Sequence, residues 1–284
     1  MEILNRRARM VSLTRKLRRE NRTIGFVPTM GALHEGHLAL VKEARQMSDI
    51  VIVSIFVNPM QFNEKKDLEK YPRDLTSDAA LLAEYQVDYI FAPDVKEIYG
   101  ENFSTSVYVE NFSETLEGAS RPGHFRGVAT VVTILFNTVR PDFAFFGQKD
   151  AQQTAVIKCL TKDLGFDTEI VILPIVREEN GLAMSSRNAL LSAEERQKAS
   201  IIYKALREAK VAAKNGERNA ARLSEIVRQT IETEPLAQID YVAIVDNETL
   251  ETVEKISDRA VLIAVAVHFG KVRLIDNTVL NRKQ

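Results

Sequence analysis

The chain has 284 residues, of which 45% are hydrophobic and 27% are charged, and its formal net charge at pH 7 is −1. This composition is typical of a folded globular protein and gives no overall attraction to nucleic acid or to a membrane surface. The single cysteine excludes an internal disulfide and no apolar run reaches the roughly 18 residues of a membrane-spanning helix, so we expect a cytoplasmic protein with no membrane partner.

The chain opens with an arginine-rich stretch from Arg6 to Arg19. Organelle-targeting peptides are also rich in arginine, but they are poor in acidic residues, and Glu2 and Glu20 flank this stretch. It also runs directly into an apolar segment without a cleavage-like sequence. We therefore predict a solvated amphipathic first helix.

From Thr23 onward, short β-branched or apolar runs alternate with longer helical patterns, as in strand–helix–strand units of a parallel sheet. The predicted strands are Thr23–Val27, Ile50–Val57, Tyr89–Ala92, Asp142–Phe146 and Glu169–Leu173. The predicted helices, with apolar residues three or four apart, are His37–Met47, Leu75–Tyr85, Phe125–Thr138 and Ala151–Leu164. The alternating run Ser104–Val109 indicates a further short strand or a flap.

After Leu173 the pattern changes. Residues 174–188 lack periodicity and indicate a hinge or a functional loop. A capping box at 192–195 opens a predicted helix to about Lys214, and a further helix runs to Pro235. The predicted strands that follow are Ile239–Val245, Ala260–His268 and Val272–Ile275, with the last two joined as a hairpin. The fold class is therefore α/β, with a Rossmann-like parallel sheet domain over residues 1–176 and a smaller α+β domain with an antiparallel sheet over 177–284.

Polar clusters follow the predicted strands, and ligands of open parallel sheets bind outside the carboxyl ends of the strands. After the first strand, Gly31 and Gly36 let backbone amides approach a ligand, and His34 and His37 lie at a helix start that favours phosphate. The two histidines are also compatible with a structural cap or with metal ligands. A zinc site needs further ligands, and the single cysteine, Cys159, has no partner nearby in the sequence.

Three further clusters, 58–62, 147–150 and 184–188, add amides, a lysine, hydroxyls and an arginine. The sequence has neither a G-x-G-x-x-G after the first strand nor a P-loop, which argues against a dinucleotide site and a γ-phosphate cradle. Transfer at an α-phosphate needs positive charge and hydrogen-bond donors, which the two histidines, Lys149 and residues 185–187 supply. Each cluster taken alone is equally a turn, a surface ion pair or a loop.

Six motifs occur in a fixed order over nearly the whole chain. They are Pro28–His37, Phe56–Phe62, Tyr71–Arg73, Arg121–Gly127, Phe146–Asp150 with Gln152 and Gln153, and Gly181–Asn188. Through them the chain resembles the pantothenate synthetase family of the nucleotidyltransferase superfamily. One departure is Gln148, where many members of that family have glutamate; we do not expect this residue to be a charged phosphate ligand.

The resemblance implies an ATP-dependent ligase that joins (R)-pantoate to β-alanine through a pantoyl adenylate and releases AMP and pyrophosphate. It implies catalytic roles for His34, His37, Lys149, Ser186 and Arg187. The implied contacts of ATP are Met30, Gly31, His34, His37, Gly147, Gln148, Lys149, Asp150, Val176, Met184, Ser185, Ser186 and Arg187. The implied contacts of pantoate or β-alanine are Asn58, Gln61, Arg121, His124 and Gln153, while Met30 and Phe62 offer apolar surface to the geminal methyl groups.

The resemblance also implies Mg²⁺ bound with ATP, a homodimer, and a C-terminal lid that excludes water from the acyl adenylate. The protein ligands of the metal stay undetermined, with Asp150 and the Asp74–Asp78 region as candidates. The alternatives are a cytidylyltransferase-like enzyme, a truncated tRNA synthetase and a nucleotide-binding regulatory module without turnover. The paired glutamines and the Arg121–Gly127 motif argue against the first, and the near-neutral charge argues against an RNA partner. Formation of AMP from ATP, pantoate and β-alanine would exclude the third.

Overall fold

The computed structural model describes residues 1–63 and 65–281. The chain forms two compact units: the first contains Met1–Gly147 and Val156–Leu173, and the second contains Gln148–Ala155 and the chain from Pro174 onward. The predicted division by function, with ATP and pantoate bound by residues 1–176 and a lid formed by 177–284, stays a prediction. Among the described residues, no helix combines the length and the apolar character needed to cross a bilayer.

The first unit is built on a six-stranded sheet in which every neighbouring pair of strands is parallel. The strands are β1 (Glu2–Leu4), β2 (Ile24–Thr29), β3 (Ile50–Ile55), β4 (Tyr89–Phe91), β5 (Phe143–Gly147) and β6 (Glu169–Leu173), in the spatial order β1-β4-β3-β2-β5-β6. The strand order reverses between β2 and β5. Ligands of such sheets bind at this reversal, outside the carboxyl ends of the strands, so the loop after β2 occupies the expected position.

Helices cover both faces of this sheet. They are α1 (Arg7–Arg19), α2 (Glu35–Met47), α3 (Lys65–Lys70), α4 (Leu75–Glu84), α5 (Val95–Tyr99), α6 (Glu117–Ser120), α7 (His124–Val139) and α8 (Ala151–Asp163). Phe26 of β2 is buried in one apolar cluster with Phe136 of α7, and the next residue, Val27, is buried in another with Val41 of α2. Successive side chains of a strand point to opposite faces, so both faces are packed, as an all-parallel sheet requires.

The second unit contains three helices and a three-stranded antiparallel sheet. The helices are α9 (Ala193–Lys198), α10 (Ile201–Lys214) and α11 (Ala220–Glu232), and the strands are β7 (Ala237–Asp246), β8 (Val261–Phe269) and β9 (Val272–Leu280), in the order β7-β8-β9. Leu206 of α10, Val227 of α11 and Val265 of β8 share one buried core. The predicted hairpin is confirmed, because Phe269 pairs with Val272 across a two-residue turn. Both predicted fold classes are thus confirmed.

Several local features differ from the predictions: the last strand extends beyond Ile275 to Leu280, α3, α5 and α6 were not predicted, and three further differences have a clear local reason. Strand β1 was not predicted, because of its three residues only Leu4 is buried, at 3% exposure, and so short a strand has no visible period. No strand forms at 104–109, where the amide of Val107 instead donates to Oγ1 of Thr130 (2.9 Å). The helix predicted from 192 to 214 divides at residues 199–200, where Oγ of Ser200 donates to the carbonyl of Gln197 (2.8 Å).

Candidate active site

The loop after β2 enters α2 through a capping box made of two histidines. Nδ1 of His34 accepts a hydrogen bond from the amide of Gly36 (3.1 Å), and Nδ1 of His37 accepts one from the amide of His34 (3.4 Å). The two ring centroids lie 4.2 Å apart. A Cβ at residue 36 would approach Cε1 of His34 to 2.8 Å, so a side chain there would displace the His34 ring. The sequence left open whether the two histidines form a structural cap or a pair of imidazoles at a ligand site. The structure shows the cap, and the same contacts place the two rings side by side.

The capping contacts fix the tautomer of each ring. A neutral imidazole that accepts at Nδ1 carries its hydrogen on Nε2, so His34 and His37 each have an Nε2–H donor. Both rings belong to the start of α2, where the helix dipole adds positive potential. Ring N–H donors suit phosphate oxygens, whereas a metal ion needs a nitrogen lone pair. Within residues 1–63 and 65–281, no group of three or more His, Cys, Asp or Glu side chains is arranged to hold a metal.

The amides of the loop that precedes α2 are engaged by protein acceptors. The amide of Gly31 donates to Oγ1 of Thr29 (3.2 Å), and the amides of Ala32 and Leu33 donate to the two carboxylate oxygens of Asp78 (3.1 and 2.9 Å). Asp78 is only 5% exposed. We expected backbone amides of this loop to approach a ligand. In the structure they donate to protein acceptors instead, and the buried carboxylate of Asp78 fixes the loop. The predicted phosphate contacts at this turn are then the two histidine side chains.

Gln61 is held through its main chain by the Arg121–Gly127 motif. It ends the 3₁₀ turn Pro59–Gln61, which follows β3, and it is 8% exposed. Its carbonyl accepts a hydrogen bond from Nδ1 of His124 (2.9 Å) and one from the Arg121 guanidinium (3.4 Å). Because a carbonyl only accepts, the His124 hydrogen is on Nδ1, and Nε2 of that ring accepts from Arg121 (3.2 Å).

The side chain of Gln61 is held by Asn58, which is 1% exposed. Nδ2 of Asn58 donates to Oε1 of Gln61 and to the carbonyl of Gly127, both at 3.0 Å. Oδ1 of Asn58 accepts from the amide of Met60 (3.2 Å) and from the hydroxyl of Tyr99 (2.5 Å). The hydrogen-bonding capacity of this amide is thus used within the protein. We conclude that Asn58 orients its neighbours.

Four of the five predicted contacts of pantoate or β-alanine therefore form one cluster in the first unit: Asn58, Gln61, Arg121 and His124. Met30, predicted to contact ATP, adjoins this cluster, since its Sδ lies 2.9 Å from Nε2 of Gln61. The fifth contact, Gln153, lies on the first turn of α8, and this turn, unlike the rest of the helix, belongs to the second unit. Gly147, another predicted ATP contact, ends β5.

In the second unit, Lys149 lies in the 3₁₀ turn Gln148–Asp150, and Asn277 of β9 fixes this turn. Nδ2 of Asn277 donates to the main-chain carbonyls of Gln148 (2.9 Å) and Lys149 (3.0 Å). Nε2 of Gln148 donates in return to Oδ1 of Asn277 (3.1 Å). Asn277 is 3% exposed, so the backbone that carries Lys149 is anchored by buried hydrogen bonds.

Lys149, Ser185 and Arg187 line the same small cavity, so the structure brings these predicted phosphate contacts together. Asp276 lines this cavity too and accepts two hydrogen bonds from the guanidinium of Arg177 (2.6 and 3.0 Å). Burial raises the pKa of the Asp276 carboxyl above its ordinary value, against the opposing effect of the Arg177 guanidinium. The cavity wall thus combines positive side chains with one buried acid.

The segment that carries Ser185 and Ser186 is anchored from within the second unit. The hydroxyl of Ser185 accepts from the amide of Arg187 (3.3 Å), and Ser186 begins a 3₁₀ turn. Nδ2 of Asn188 donates to a carboxylate oxygen of Glu178 (2.7 Å), and hydrogen bonds from Arg196 lower the pKa of Glu178, which keeps this anchor ionised. The other two predicted ATP contacts, Val176 and Met184, are joined by a main-chain hydrogen bond of 2.9 Å.

The three candidate metal carboxylates have different surroundings. Asp74 caps α4 by accepting from the amide of Ser77 (3.0 Å), and Asp78 holds the loop before α2. The side chain of Asp150 is 50% exposed and lies 3.8 Å from Nζ of Lys149. Asp74 and Asp78 thus accept from main-chain amides, whereas Asp150 forms an ion pair with Lys149.

Sequence reasoning missed three positioning residues: Asp78 as the anchor of the loop, Tyr99 as a partner of Asn58, and Asn277 as the clamp of the Lys149 turn. Asp78 was considered only as a metal ligand. The partners of Asp78 and Asn277 lie 45 and 128 residues away in sequence. No local spacing marks such contacts, whereas the motif at 121–127 did mark His124.

Known proteins match this chain in sequence and in structure over nearly its whole length. A profile of the family described as Pantoate-beta-alanine ligase matches residues 2–279. A relative from Heliobacterium modesticaldum named pantothenate synthetase is 54% identical over 280 residues, covering 99% of each chain. The crystal structure of pantothenate synthetase from Thermus thermophilus matches with a TM-score of 0.90 and 46% identity, covering 98% of this chain and 99% of that one.

A second solved structure was determined with ligands. Pantoate-beta-alanine ligase from Francisella tularensis, complexed with beta-gamma ATP and beta-alanine, matches with a TM-score of 0.80 and 37% identity. The match covers 98% of this chain and 97% of that chain. The similarity therefore extends over both units.

Proposed function

The chain belongs to the pantoate-beta-alanine ligase family, and we propose that its residues join (R)-pantoate to β-alanine through a pantoyl adenylate, releasing AMP and pyrophosphate. The activity class is that of an ATP-dependent ligase. The observation that carries the proposed roles is the His34–His37 capping box, which provides two ring N–H donors at a helix start. The full-length family match does not favour a cytidylyltransferase or a module without turnover.

In the first step, a carboxylate oxygen of pantoate attacks the α-phosphorus of ATP, the bond from that phosphorus to the β-phosphate oxygen breaks, and pyrophosphate leaves. Negative charge grows on the α-phosphate oxygens and on the leaving group. His34 and His37 donate from Nε2 to phosphate oxygens, and Lys149, Ser186 and Arg187 stabilise the charge on pyrophosphate. Removing one such prearranged donor costs roughly 10²–10³ in turnover.

The remaining ATP contacts of the proposal shape the nucleotide site around these donors. They are Met30, Gly31, Gly147, Gln148, Asp150, Val176, Met184 and Ser185. A Mg²⁺ ion bound with ATP would supply positive charge that neutralises the phosphates. The half-exposed carboxylate of Asp150 is the protein group we propose as its contact.

We assign Gln61 and Gln153 to the hydroxyl and carboxylate oxygens of pantoate. Asn58, Arg121 and His124 act on pantoate through Gln61, because their hydrogen bonds hold both ends of that residue. Met30 and Phe62 offer apolar surface to the two methyl groups. This arrangement separates the residues that select the acid from those that act on phosphate.

In the second step, the amine of β-alanine attacks the acyl carbon of the adenylate, the carbon–oxygen bond breaks, and AMP leaves with that oxygen. The acyl adenylate is reactive toward water, and exclusion of water by residues 177–284 acting as a lid is part of the proposal. A homodimer and a cytoplasmic location complete it. The single cysteine supports a reducing compartment.

The test of this function is a product assay with the full chain. ATP with pantoate and β-alanine should yield equimolar AMP, pyrophosphate and pantothenate, with each of the three substrates required for amide formation. Replacement of Gln61 or Gln153 by alanine should raise the KM for pantoate far more than the KM for ATP. Transfer of a nucleotide to a phosphorylated alcohol would instead identify a cytidylyltransferase, and binding of ATP without turnover would identify a regulatory module.

A further inference from the structure

The hydrogen bonds around Gln61 determine which end of its side-chain amide is available to a substrate. Oε1 of Gln61 accepts from Nδ2 of Asn58 at 3.0 Å. Nε2 of Gln61 lies 2.9 Å from Sδ of Met30, and sulfur is only a weak acceptor. Asn58 thus engages one lone pair of the oxygen, whereas the NH₂ group contacts only a weak sulfur acceptor and keeps a second hydrogen, so the NH₂ group is the end of Gln61 that gains most from a substrate oxygen.

This orientation does not depend on how the two amide groups are assigned, because main-chain groups of fixed character settle it. The carbonyl of Gly127 can only accept, so the atom of Asn58 that faces it at 3.0 Å is the donor Nδ2. The amide of Met60 can only donate, so the atom that faces it at 3.2 Å is the acceptor Oδ1. Asn58 must therefore donate to Gln61, and Gln61 must accept through Oε1.

Tyr99 reinforces this orientation from the far side of Asn58. It ends α5, is 7% exposed, and donates its hydroxyl hydrogen to Oδ1 of Asn58. Burial raises the pKa of the Tyr99 phenol, so the hydroxyl stays protonated and remains a donor. The ring is held against Phe56 and Phe103, with centroids 6.1 and 4.9 Å away. Because the ring is fixed and its hydroxyl always donates, this hydrogen bond stabilises the observed orientation of the Asn58 amide.

We propose that Tyr99 is a positioning residue for pantoate: through Asn58 it holds the Gln61 amide with its NH₂ group presented to the substrate. Gln61 then acts as a donor to an oxygen of pantoate and not as an acceptor. This inference rests on the proposed function, since it takes the acid from there. A donor at this position favours substrates that place a hydrogen-bond acceptor next to Gln61.

The experiment is a double-mutant cycle with Tyr99→Phe and Gln61→Ala, read as the KM for pantoate and the KM for ATP. Tyr99→Phe removes one hydroxyl from a buried site, and we expect the KM for pantoate to rise about 3- to 10-fold with the KM for ATP unchanged. In the Gln61→Ala background, Tyr99→Phe should add nothing to the KM for pantoate, because the group it positions is absent. Tyr108→Phe, which removes an exposed hydroxyl that donates to Glu114, is the matched control and should change neither constant.

Two results would overturn the inference: an unchanged KM for pantoate in Tyr99→Phe, or the same fold-change with and without Gln61. A uniform loss of kcat with both KM values unchanged would also overturn it, because that is the pattern of a residue that only supports the fold. The wild-type chain must form pantothenate in the same assay. If it does not, the proposed function fails, and if it does while the cycle is additive, only the role of Tyr99 fails.

A second variant tests the donor role of Gln61 independently of Tyr99. Gln61→Glu preserves the shape of the side chain and lets one oxygen accept from Asn58, but it presents an oxygen in place of the NH₂ group. We expect its KM for pantoate to exceed that of Gln61→Ala, with the KM for ATP unchanged. Pantoate binding at the wild-type level in Gln61→Glu would show that Gln61 is not required as a donor and would refute the inference.

Discussion

Replacing Gly127 by alanine tests whether the close approach of α7 to the Gln61 turn serves substrate binding. A Cβ at residue 127 would lie 2.4 Å from the carbonyl oxygen of Met60 and 2.8 Å from the amide nitrogen of Gln61. Both opposing atoms are main chain, so no side-chain rotation relieves the clash. The turn must move by about 1 Å to restore ordinary contact, and Gln61 moves with it.

Two opposing contributions set the change in stability, and the displacement of Gln61 sets the change in activity. Alanine is favoured over glycine inside a helix by about 1 kcal/mol, while overpacking costs about 1–3 kcal/mol. The net loss of unfolding free energy is therefore small, about 0–2 kcal/mol. A displacement of about 1 Å at a substrate-positioning group can cost on the order of 10² in rate. We expect Gly127→Ala to lower kcat/KM for pantoate by about that factor with only a few degrees lost in Tm.

Steady-state kinetics with pantoate and ATP varied separately, together with a thermal melt, would measure both effects. Asn137→Ala is the control, because Asn137 lies on the exposed side of the same helix and its side chain donates to the carbonyl of Thr133, one turn earlier in that helix. It should change stability by less than about 0.5 kcal/mol. If Gly127→Ala keeps full kcat/KM for pantoate, the contact between α7 and the turn does not position Gln61.

Three further outcomes are expected. Each of His34→Ala and His37→Ala should lower kcat by roughly 10²–10³ and cost about 1 kcal/mol of stability as a lost cap; normal turnover by the folded fraction would refute their catalytic role. Asn277→Ala should lower kcat toward the level of Lys149→Ala, and in the Lys149→Ala background it should have no further effect on kcat; additive losses would separate the two residues. Gln153→Ala should raise the KM for pantoate by a factor equivalent to roughly 1–3 kcal/mol, and an equal rise in the KM for ATP would remove it from the pantoate pocket.

The sheet of the first unit was predictable because most of its strands are continuous apolar runs, and the central strands β2 and β3 are also largely buried. Four of the predicted strands, among them Ile50–Val57 and Glu169–Leu173, overlap the observed ones almost fully. The edge strand β1 escaped because only one of its residues is buried. A run of apolar residues therefore identifies a strand even at the edge position of β6, whereas β1, with three residues and one buried side chain, is too short to leave a pattern.

The candidate side chains were chosen from the sequence, because histidines, a lysine and a Ser-Ser-Arg run after strands indicate phosphate chemistry. Their supporting contacts were not. Asp78 and Asn277 form hydrogen bonds with main-chain groups far away in the sequence, and the residues next to them in the sequence give no sign of these partners. One detail differs from the prediction for the loop with Gly31 and Gly36, because the amides of these two residues donate to Thr29 and His34. Which polar group faces the ligand depends on tertiary contacts that spacing alone does not encode.

The most direct test of the AMP-forming mechanism follows one oxygen atom. If a carboxylate oxygen of pantoate attacks the α-phosphorus and β-alanine later breaks the carbon–oxygen bond, that oxygen leaves with AMP. Pantoate labelled with heavy oxygen in its carboxylate should deliver one labelled atom to AMP per turnover and none to pyrophosphate, and pyrophosphate should form from ATP and pantoate before β-alanine is added. Label in inorganic phosphate, with ADP as the nucleotide product, would contradict an acyl adenylate and require an acyl phosphate instead.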